Sequence, residues 1–164
     1  MDRLIDITLV HCGVTCVAKL LDDDAPVTAQ YVWEALPQTG DLWHAKYASN
    51  ELYCLVPPLG GLAPGIENAT ITPIPGDVAL FDFPSGEIHP SLRRELGLDA
   101  YDHFMDLALF YDRNNLLFSP RTGPVPANIF GTVIENLPAM TKAGHDLFRS
   151  GFAGEQLRFS CHDS

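Results

Sequence analysis

The chain has 164 residues and a formal net charge of -11. A chain of this length can bury roughly 70% of the surface that its unfolded form exposes, so residues 1–164 are expected to form one self-supporting domain. The acidic balance disfavours nucleic acid as a partner, and the absence of a long apolar run disfavours a membrane span. Asp2, Arg3 and Asp6 interrupt the first ten positions, which argues against a signal peptide, and we expect a cytoplasmic protein.

The four cysteines do not form a Cys-x-x-Cys pair. Cys12 and Cys16 lie on opposite arms of a predicted hairpin, and Cys54 and Cys161 lie far along the chain. In a reducing compartment this usage favours buried thiols over a zinc site built on Cys12 and Cys16.

The first forty residues predict a β-hairpin followed by a helix. Apolar residues alternate on either side of Cys12-Gly13, as they do in two antiparallel strands joined by a turn. Pro26 marks the start of a helix beside the negative charges of residues 22–24, and Pro37 ends it. The alternating strand residues are Ile5, Ile7, Leu9, Val14, Cys16, Ala18 and Leu20, and the apolar stripe of the helix is Ala29, Val32, Trp33 and Leu36.

The middle of the chain predicts further strands with short connections. Because strands outnumber helices and no strand–helix–strand alternation occurs, the pattern favours a mostly antiparallel β-barrel with two helices at its ends. The segments are Leu42–Tyr47, Glu51–Val56, Ala69–Pro73, Val78–Phe83 and Phe104–Tyr111, with a last strand at Gln156–Cys161.

Residues 128–151 predict a strand that leads into the second helix. The β-branched residues around Val133 are typical of a half-buried strand. Asn136 is the expected N-cap, Pro138 falls in the first turn, and Gly151 is expected to end the helix in the left-handed conformation. The buried stripe of this helix is predicted to be Met140, Ala143, Gly144 and Leu147.

Two segments resemble the cyclophilins. Phe130–Val133 followed by Glu135-Asn136-Leu137 is similar to a Phe-Gly-Lys-Val strand that runs through a turn into the second helix of that family. Pro26–Gln30, with Ala35-Leu36, resembles its Pro-Lys-Thr-Ala-Glu helix. The resemblance implies a closed or nearly closed antiparallel barrel of about eight strands, capped by two α-helices.

The residues that give cyclophilins their prolyl-isomerase activity are not clearly matched. Ala45 falls where the resemblance requires an arginine, Leu59 where it requires a glutamine, and Ala127 where it requires a histidine. A guanidinium assists isomerisation by weakening amide resonance, which an alanine methyl group cannot do. A non-standard isomerase, with Lys46 or Arg113 as its cation, is therefore the alternative to a binding function.

A narrower resemblance covers Leu109–Leu117 and the segment 126–131, with a Pro-Gly-Asp-Val strand start at Pro75–Val78. These segments are similar to a family of uncharacterised bacterial cyclophilin-like proteins. The resemblance implies the same architecture and assigns no reaction.

The candidate ligand site lies around the run that follows Phe110. This run ends a strand and places aromatic rings beside Arg113 and Asn114, which donate hydrogen bonds suited to a carboxylate or an amide. We expect it to bind a small polar molecule or a peptide, although Asn114-Asn115 is also ordinary turn chemistry. The full set of predicted ligand-binding residues is His44, Tyr53, Phe110, Arg113, Asn114 and Arg121, with His44 and Tyr53 expected on the same wall.

An acidic group between Glu87 and Asp106 offers a competing metal site. Its carboxylates and imidazoles suit zinc, iron or manganese, and Asp102 and Asp106 would share a face if the segment were helical. A solvated short helix over Ser91–Leu96 in an acidic connection is the favoured interpretation, so no metal ligand is assigned.

Familiar catalytic signatures are missing from the sequence. It contains no nucleophile elbow, phosphate loop, dinucleotide fingerprint or His-Glu-x-x-His pair. No catalytic residue and no cofactor are therefore predicted. An assembly protein that forms a homo-oligomer is the third hypothesis, beside a ligand-binding module and a non-standard isomerase.

Overall fold

The computed structural model describes residues 2–163, which form eleven β-strands and three α-helices. The helices are α1 (Pro26–Ala35), α2 (Pro90–Glu95) and α3 (Leu137–Ser150). The strands are β1 (Leu4–Leu9), β2 (Val14–Leu20), β3 (Gln38–His44), β4 (Glu51–Val56), β5 (Ala69–Thr70), β6 (Asp77–Pro84), β7 (His103–Phe110), β8 (Phe118–Ser119), β9 (Gly123–Pro124), β10 (Ala127–Glu135) and β11 (Gln156–Cys161).

Eight of these strands close into a barrel. Their order is β2-β1-β11-β3-β4-β7-β6-β10, and the pairing of β10 with β2 joins the two edges. Each neighbouring pair is antiparallel. β5 extends the β10 edge, and β8 and β9 form a separate hairpin. The predicted fold class, a mostly β, closed antiparallel barrel of about eight strands, is confirmed.

Side-chain alternation divides the apolar residues between two cores. Ile5, Ile7 and Leu9 point into the barrel and are fully buried, as their spacing predicts. A second, smaller core lies on the outer face of β4, β6, β7 and β10, where loops cover it. Its buried members are Ala45, Ala48, Ala79, Phe81, Ala108, Phe110, Leu117, Ala127 and Ile129.

Helix α1 begins at Pro26 as predicted, but the anion at its start is not one of the aspartates at 22–24. Glu67 supplies it, because its carboxylate accepts hydrogen bonds from the backbone amides of Val27 and Thr28 and from the Thr28 hydroxyl. Asp22 instead binds Arg3. A carboxylate at a helix N-terminus satisfies free amides and interacts favourably with the helix dipole.

Helix α3 buries the predicted stripe of Met140, Gly144 and Leu147, and Ala143 is half-buried. Asn136 occupies the N-cap position as predicted, but its side chain makes no capping bond, and its amide instead donates to the carbonyl of Thr15 at 2.6 Å. The short helix α2 has no buried residue within its described range, as expected for a solvated helix. None of the helices formed by residues 2–163 has the length and apolar character needed to cross a bilayer.

Two predicted strands differ from the structure by more than one residue at an end. β3 begins at Gln38, before the predicted Leu42, because residues 38–41 pair with β11 at the far end of the chain. The predicted strand over residues 69–73 is only the two-residue β5. Pro73 lacks the amide hydrogen that a longer ladder would use.

The cysteine prediction holds for two of the four thiols. Cys16 and Cys54 are buried in the main core, whereas Cys12 and Cys161 are exposed. Cys12 lies in the hairpin turn, and Cys161 ends the last strand, so neither has a neighbouring element to cover it.

Candidate functional site

A pocket of about 620 Å³ opens on the outer face of the barrel. Strands β4, β6 and β7 form its floor, and two loops form its walls. One wall is the connection between β3 and β4, residues 45–48, and the other is the segment 117–126 that carries the β8–β9 hairpin. We call this cavity the barrel-face pocket.

Three titratable side chains share the floor because of strand register. Glu51 and Tyr53 are alternate residues of β4, so they point to the same face. Tyr53 lies opposite Ala108 of β7, which places Asp106, two residues away on β7, on that face as well. All three line the barrel-face pocket, and we call Glu51 and Asp106 the acid pair.

The acid pair is buried and incompletely bonded. Glu51 is 5% exposed and Asp106 is 6% exposed. The Oδ1 atom of Asp106 is fully buried and has no hydrogen-bond partner among the described residues. An ionised carboxylate in such a place pays a desolvation cost that no neighbouring donor offsets.

Both carboxyls are therefore held towards their neutral form. Burial raises the pKa of Glu51 to about 8. Burial, and after it the negative charge of Glu51, raises the pKa of Asp106 well above its usual value. The Tyr53 pKa is also raised, by burial first and then by Asp106 and Glu51, so the phenol stays protonated at neutral pH.

Aromatic rings form much of the lining above the acid pair. Phe81 and Phe83 are stacked with ring centroids 5.3 Å apart, and Phe104 packs against Phe83 at 5.7 Å. At the rim, Tyr47 and Phe118 leave large parts of their side chains exposed. The pocket thus joins an apolar, aromatic body to an acidic floor, which is a common composition for a small-molecule site.

Positive charge is confined to the rim of the barrel-face pocket. Lys46 is the one basic residue among those that line it. Arg121 lies in the wall segment, 65% exposed by side chain, and its Nη2 atom is 3.6 Å from the Glu87 carboxylate. Both cations lie outside the buried floor, so the acid pair has no protein counter-ion in contact within the described residues.

The structure does not bring the acidic and histidine residues between Glu87 and Asp106 together. Within residues 2–163 no group of three or more His, Cys, Asp or Glu side chains is arranged to hold a metal ion. The residues proposed for a metal cluster are separated: Asp99 binds Arg93, His103 binds Asp82, and Asp106 lies on a strand in the pocket floor. The helical face predicted for Asp102 and Asp106 is wrong.

A family model described as "Protein of unknown function (DUF3830)" matches residues 7–159. The chain belongs to this family. No curated protein matches it.

Two solved structures are similar to this family member. The structure of McbB in complex with tryptophan aligns with a TM-score of 0.60 and 20% sequence identity, and the alignment covers 98% of this chain and 45% of McbB. The chain therefore spans a little under half the length of McbB, and the similarity establishes a shared fold. The crystal structure of the mimivirus cyclophilin aligns with a TM-score of 0.49 and 12% identity, over 98% of this chain and 87% of that protein.

Of the six residues predicted to bind a ligand, Tyr53 lines the barrel-face pocket. Arg121 lies between two lining residues, Pro120 and Thr122. Phe110 lies directly opposite Glu51 in the β4–β7 ladder, but it is completely buried in the second core. Phe110 is therefore part of the second core and not of the pocket lining.

His44 lies on the opposite face from Tyr53, so the expected shared wall is not formed. His44 is the cross-strand partner of Leu52, while Tyr53 is the partner of Trp43. The His44 ring is buried beneath α3, where Nδ1 donates to the carbonyl of Ala45 at 2.9 Å and Nε2 accepts from the Tyr111 hydroxyl at 2.7 Å. Burial lowers the pKa of His44, which keeps the ring neutral.

Arg113 and Asn114 lie in a turn outside the pocket lining. Asn114 adopts a left-handed conformation with φ of 68°. The turn is held by Asn50 and Asn115, whose side chains bond the backbone of residues 50, 73, 112 and 113. This geometry agrees with the alternative of ordinary turn chemistry.

Sequence reasoning did not single out Glu51, and it considered Asp106 only for a metal site that it did not assign, whereas both residues line the barrel-face pocket. A signal for both existed, because each is an acidic residue inside a strand that is otherwise almost wholly apolar, Glu51–Val56 and Phe104–Tyr111. An acidic residue in such a run either faces solvent or occupies a pocket.

Proposed function

We propose that the protein binds a small molecule with an aromatic or apolar body and a basic nitrogen, held in the barrel-face pocket. The observation that carries the proposal is the buried acid pair, with Asp106 Oδ1 unbonded, beneath aromatic walls. A ligand ammonium donates hydrogen bonds to both carboxylates and neutralises their charge, while its ring packs on Phe81 and Phe83.

The dimensions of the pocket support this kind of ligand. A volume of about 620 Å³ lies inside the range of about 300–1,000 Å³ that small-molecule sites occupy. The net charge of -11 favours the approach of a cation over that of an anion. McbB was solved with tryptophan, which makes an indole ring a reasonable first probe.

Prolyl isomerisation is less well supported by the same pocket. Ala45, at the position where the cyclophilin resemblance requires an arginine, lines it, and Lys46 is its basic lining residue. An ammonium does not reproduce the fixed geometry of a guanidinium. We expect a proline-peptide isomerisation assay to give the rate of buffer alone.

The experiment is isothermal titration calorimetry with three indoles that differ in charge. Tryptamine carries an ammonium, 3-ethylindole is neutral, and indole-3-propionate carries a carboxylate. We expect tryptamine to bind most tightly and indole-3-propionate not to bind, because its carboxylate meets the acid pair. Equal affinity for all three would contradict a role for the acid pair, and no binding of tryptamine would overturn the proposal.

A matched pair of variants locates the binding. Asp106→Asn keeps the shape of the floor and removes one charge, so tryptamine should bind at least about tenfold more weakly. Asp41→Asn is the same substitution at an exposed position of β3 outside the pocket lining, and it should leave the affinity unchanged. An equal loss in both variants would attribute the effect to overall charge.

A further inference from the structure

The acid pair also has the arrangement of a proton-transfer device. We propose that Glu51 and Asp106 act as a general base and a general acid on a molecule in the barrel-face pocket, moving a proton between two of its atoms. This inference rests on the proposed function, because it concerns a ligand held against the same two carboxyls.

The register of β4 and β7 places the two acids on the same face of the pocket floor. Glu51 of β4 and Asp106 of β7 lie on either side of the Tyr53–Ala108 pair. Glu51, Tyr53 and Asp106 all line the pocket, and Tyr53 brings a neutral phenol to it. Both carboxyls therefore face the cavity in which a ligand would lie.

Their environments assign different roles to the two acids. Asp106 has a fully buried oxygen without a partner, and the charge of Glu51 disfavours its ionisation further. Above the pKa of Glu51, which is about 8, the pair therefore holds one proton on Asp106 while Glu51 is ionised, as when two carboxyls in one site titrate at separate pH values.

The step balances without another reactant. The Glu51 carboxylate takes a proton from a carbon or nitrogen of the ligand, and the electrons of that bond move into the ligand's π-system. An atom at the other end of the π-system then takes the proton of the Asp106 carboxyl. The ligand loses one proton and gains one, so the product is an isomer of it. Afterwards Glu51 is protonated and Asp106 ionised, and proton exchange through the pocket water restores the starting state. No oxidant, reductant or metal is consumed.

Other charged groups face the pair from the elements around it. Lys46, which precedes β4, Asp82 of β6 and Glu87, which follows it, line the same pocket, while burial is what raises the pKa of Glu51. Tyr53 stays neutral through the relevant pH range. A pH profile of the reaction therefore reports mainly on the acid pair.

The test uses 5-nitrobenzisoxazole, a neutral aromatic molecule that reports on any base in an apolar pocket. A base removes its ring C–H proton, the N–O bond breaks, and a coloured cyanonitrophenolate forms. We expect a second-order rate at least roughly 100-fold above that of acetate. The rate should rise with pH through a midpoint well above that of an ordinary carboxylic acid.

Two variants identify the base. Glu51→Gln should reduce the reaction to the rate of acetate, because the amide accepts no proton, while Asp41→Asn should leave it unchanged. Circular dichroism confirms that each variant is folded. A wild-type rate equal to that of acetate, or a Glu51→Gln rate equal to wild type, would overturn the inference.

The assay and the tryptamine titration separate the two proposals. If tryptamine binds and the elimination is not accelerated, proton transfer is excluded and the binding proposal stands. If the elimination is accelerated through Glu51 and tryptamine does not bind, proton transfer stands and the amine ligand is excluded. If neither occurs, both proposals fail.

Discussion

Two groups of titratable residues, each with two buried members, lie on opposite sides of the same barrel wall. On one side is the acid pair in the barrel-face pocket, with an unbonded carboxylate oxygen. On the other, beneath α3, is the His44 cluster, formed by His44, Tyr111, Asp112 and His145. There the Tyr111 hydroxyl binds His44, and His145 binds the Asp112 carboxylate at 2.7 Å.

The difference separates polar groups that find their partners within the fold from polar groups whose partner would be the proposed ligand. A buried polar group that has a partner supports the fold, whereas one without a partner reduces the free energy of unfolding. The His44 cluster satisfies its polar atoms internally and encloses no cavity among those described. The acid pair lacks such partners and faces a pocket, so a ligand is the natural source of them.

The largest expected effect comes from removing the unpaired charge. Glu51→Gln should raise the free energy of unfolding by about 2–4 kcal/mol at pH 9, since the neutral amide avoids burying a carboxylate. The same substitution at Glu34, which is exposed on α1 away from the pocket lining, is the control and should change little. Urea denaturation measures both.

The difference in free energy of unfolding between Glu51→Gln and the wild type should depend on pH, and the sign of this dependence can be worked out. Burial raises the folded-state pKa of Glu51 from 4.5 to about 8, so the folded chain binds the proton more tightly than the unfolded chain. The free energy of unfolding of the wild type should therefore fall, relative to Glu51→Gln, between those two pH values. A difference that is the same at pH 5 and pH 9 would contradict the burial of an unpaired acid.

The next effect tests how tightly the His44 cluster is packed. A Cβ atom on Gly144 of α3 would lie 2.7 Å from the Tyr111 ring, which is almost fully buried, so the ring or the helix would have to shift. Gly144→Ala should therefore lower the free energy of unfolding by about 1–3 kcal/mol, even though alanine favours helix by up to about 1 kcal/mol. A gain in thermal stability would contradict this packing.

The smallest effect concerns a single hydrogen bond in the same cluster. Tyr111→Phe removes the hydroxyl that donates to His44 and should lower the free energy of unfolding by about 1 kcal/mol. Because Tyr111 lies outside the pocket lining, tryptamine affinity should not change. A loss of tryptamine binding without a loss of stability would indicate that the ligand binds beside the His44 cluster and not in the barrel-face pocket.

The fold was predictable from sequence wherever an element is determined by residues close together in the chain. The alternation of Ile5, Ile7 and Leu9 and the position of Pro26 identified a strand and a helix correctly. The role of Glu67 was not predictable, because it lies about 40 residues from the helix that it caps, and only the closed fold brings the two together.

The site was less predictable, because it depends on register between strands. His44 and Tyr53 lie on neighbouring strands, yet a difference of one residue in pairing sends them to opposite faces. Glu51 and Asp106 share a floor because β4 pairs with β7, a pairing of distant segments that hydrophobic periodicity does not reveal. Their position in apolar strands was the one local signal.

The most direct test of the acid pair as the ligand site is a carbon-13 NMR titration of the aspartate and glutamate carboxyls, with and without tryptamine. Between about pH 4 and 10 we expect two carboxyl signals, from Glu51 and Asp106, to titrate well above the ordinary range in the free protein. With tryptamine bound, the ammonium should return both to lower pKa values. If every carboxyl titrates in the ordinary range, or if tryptamine leaves these two signals unchanged, the acid pair is not the ligand site.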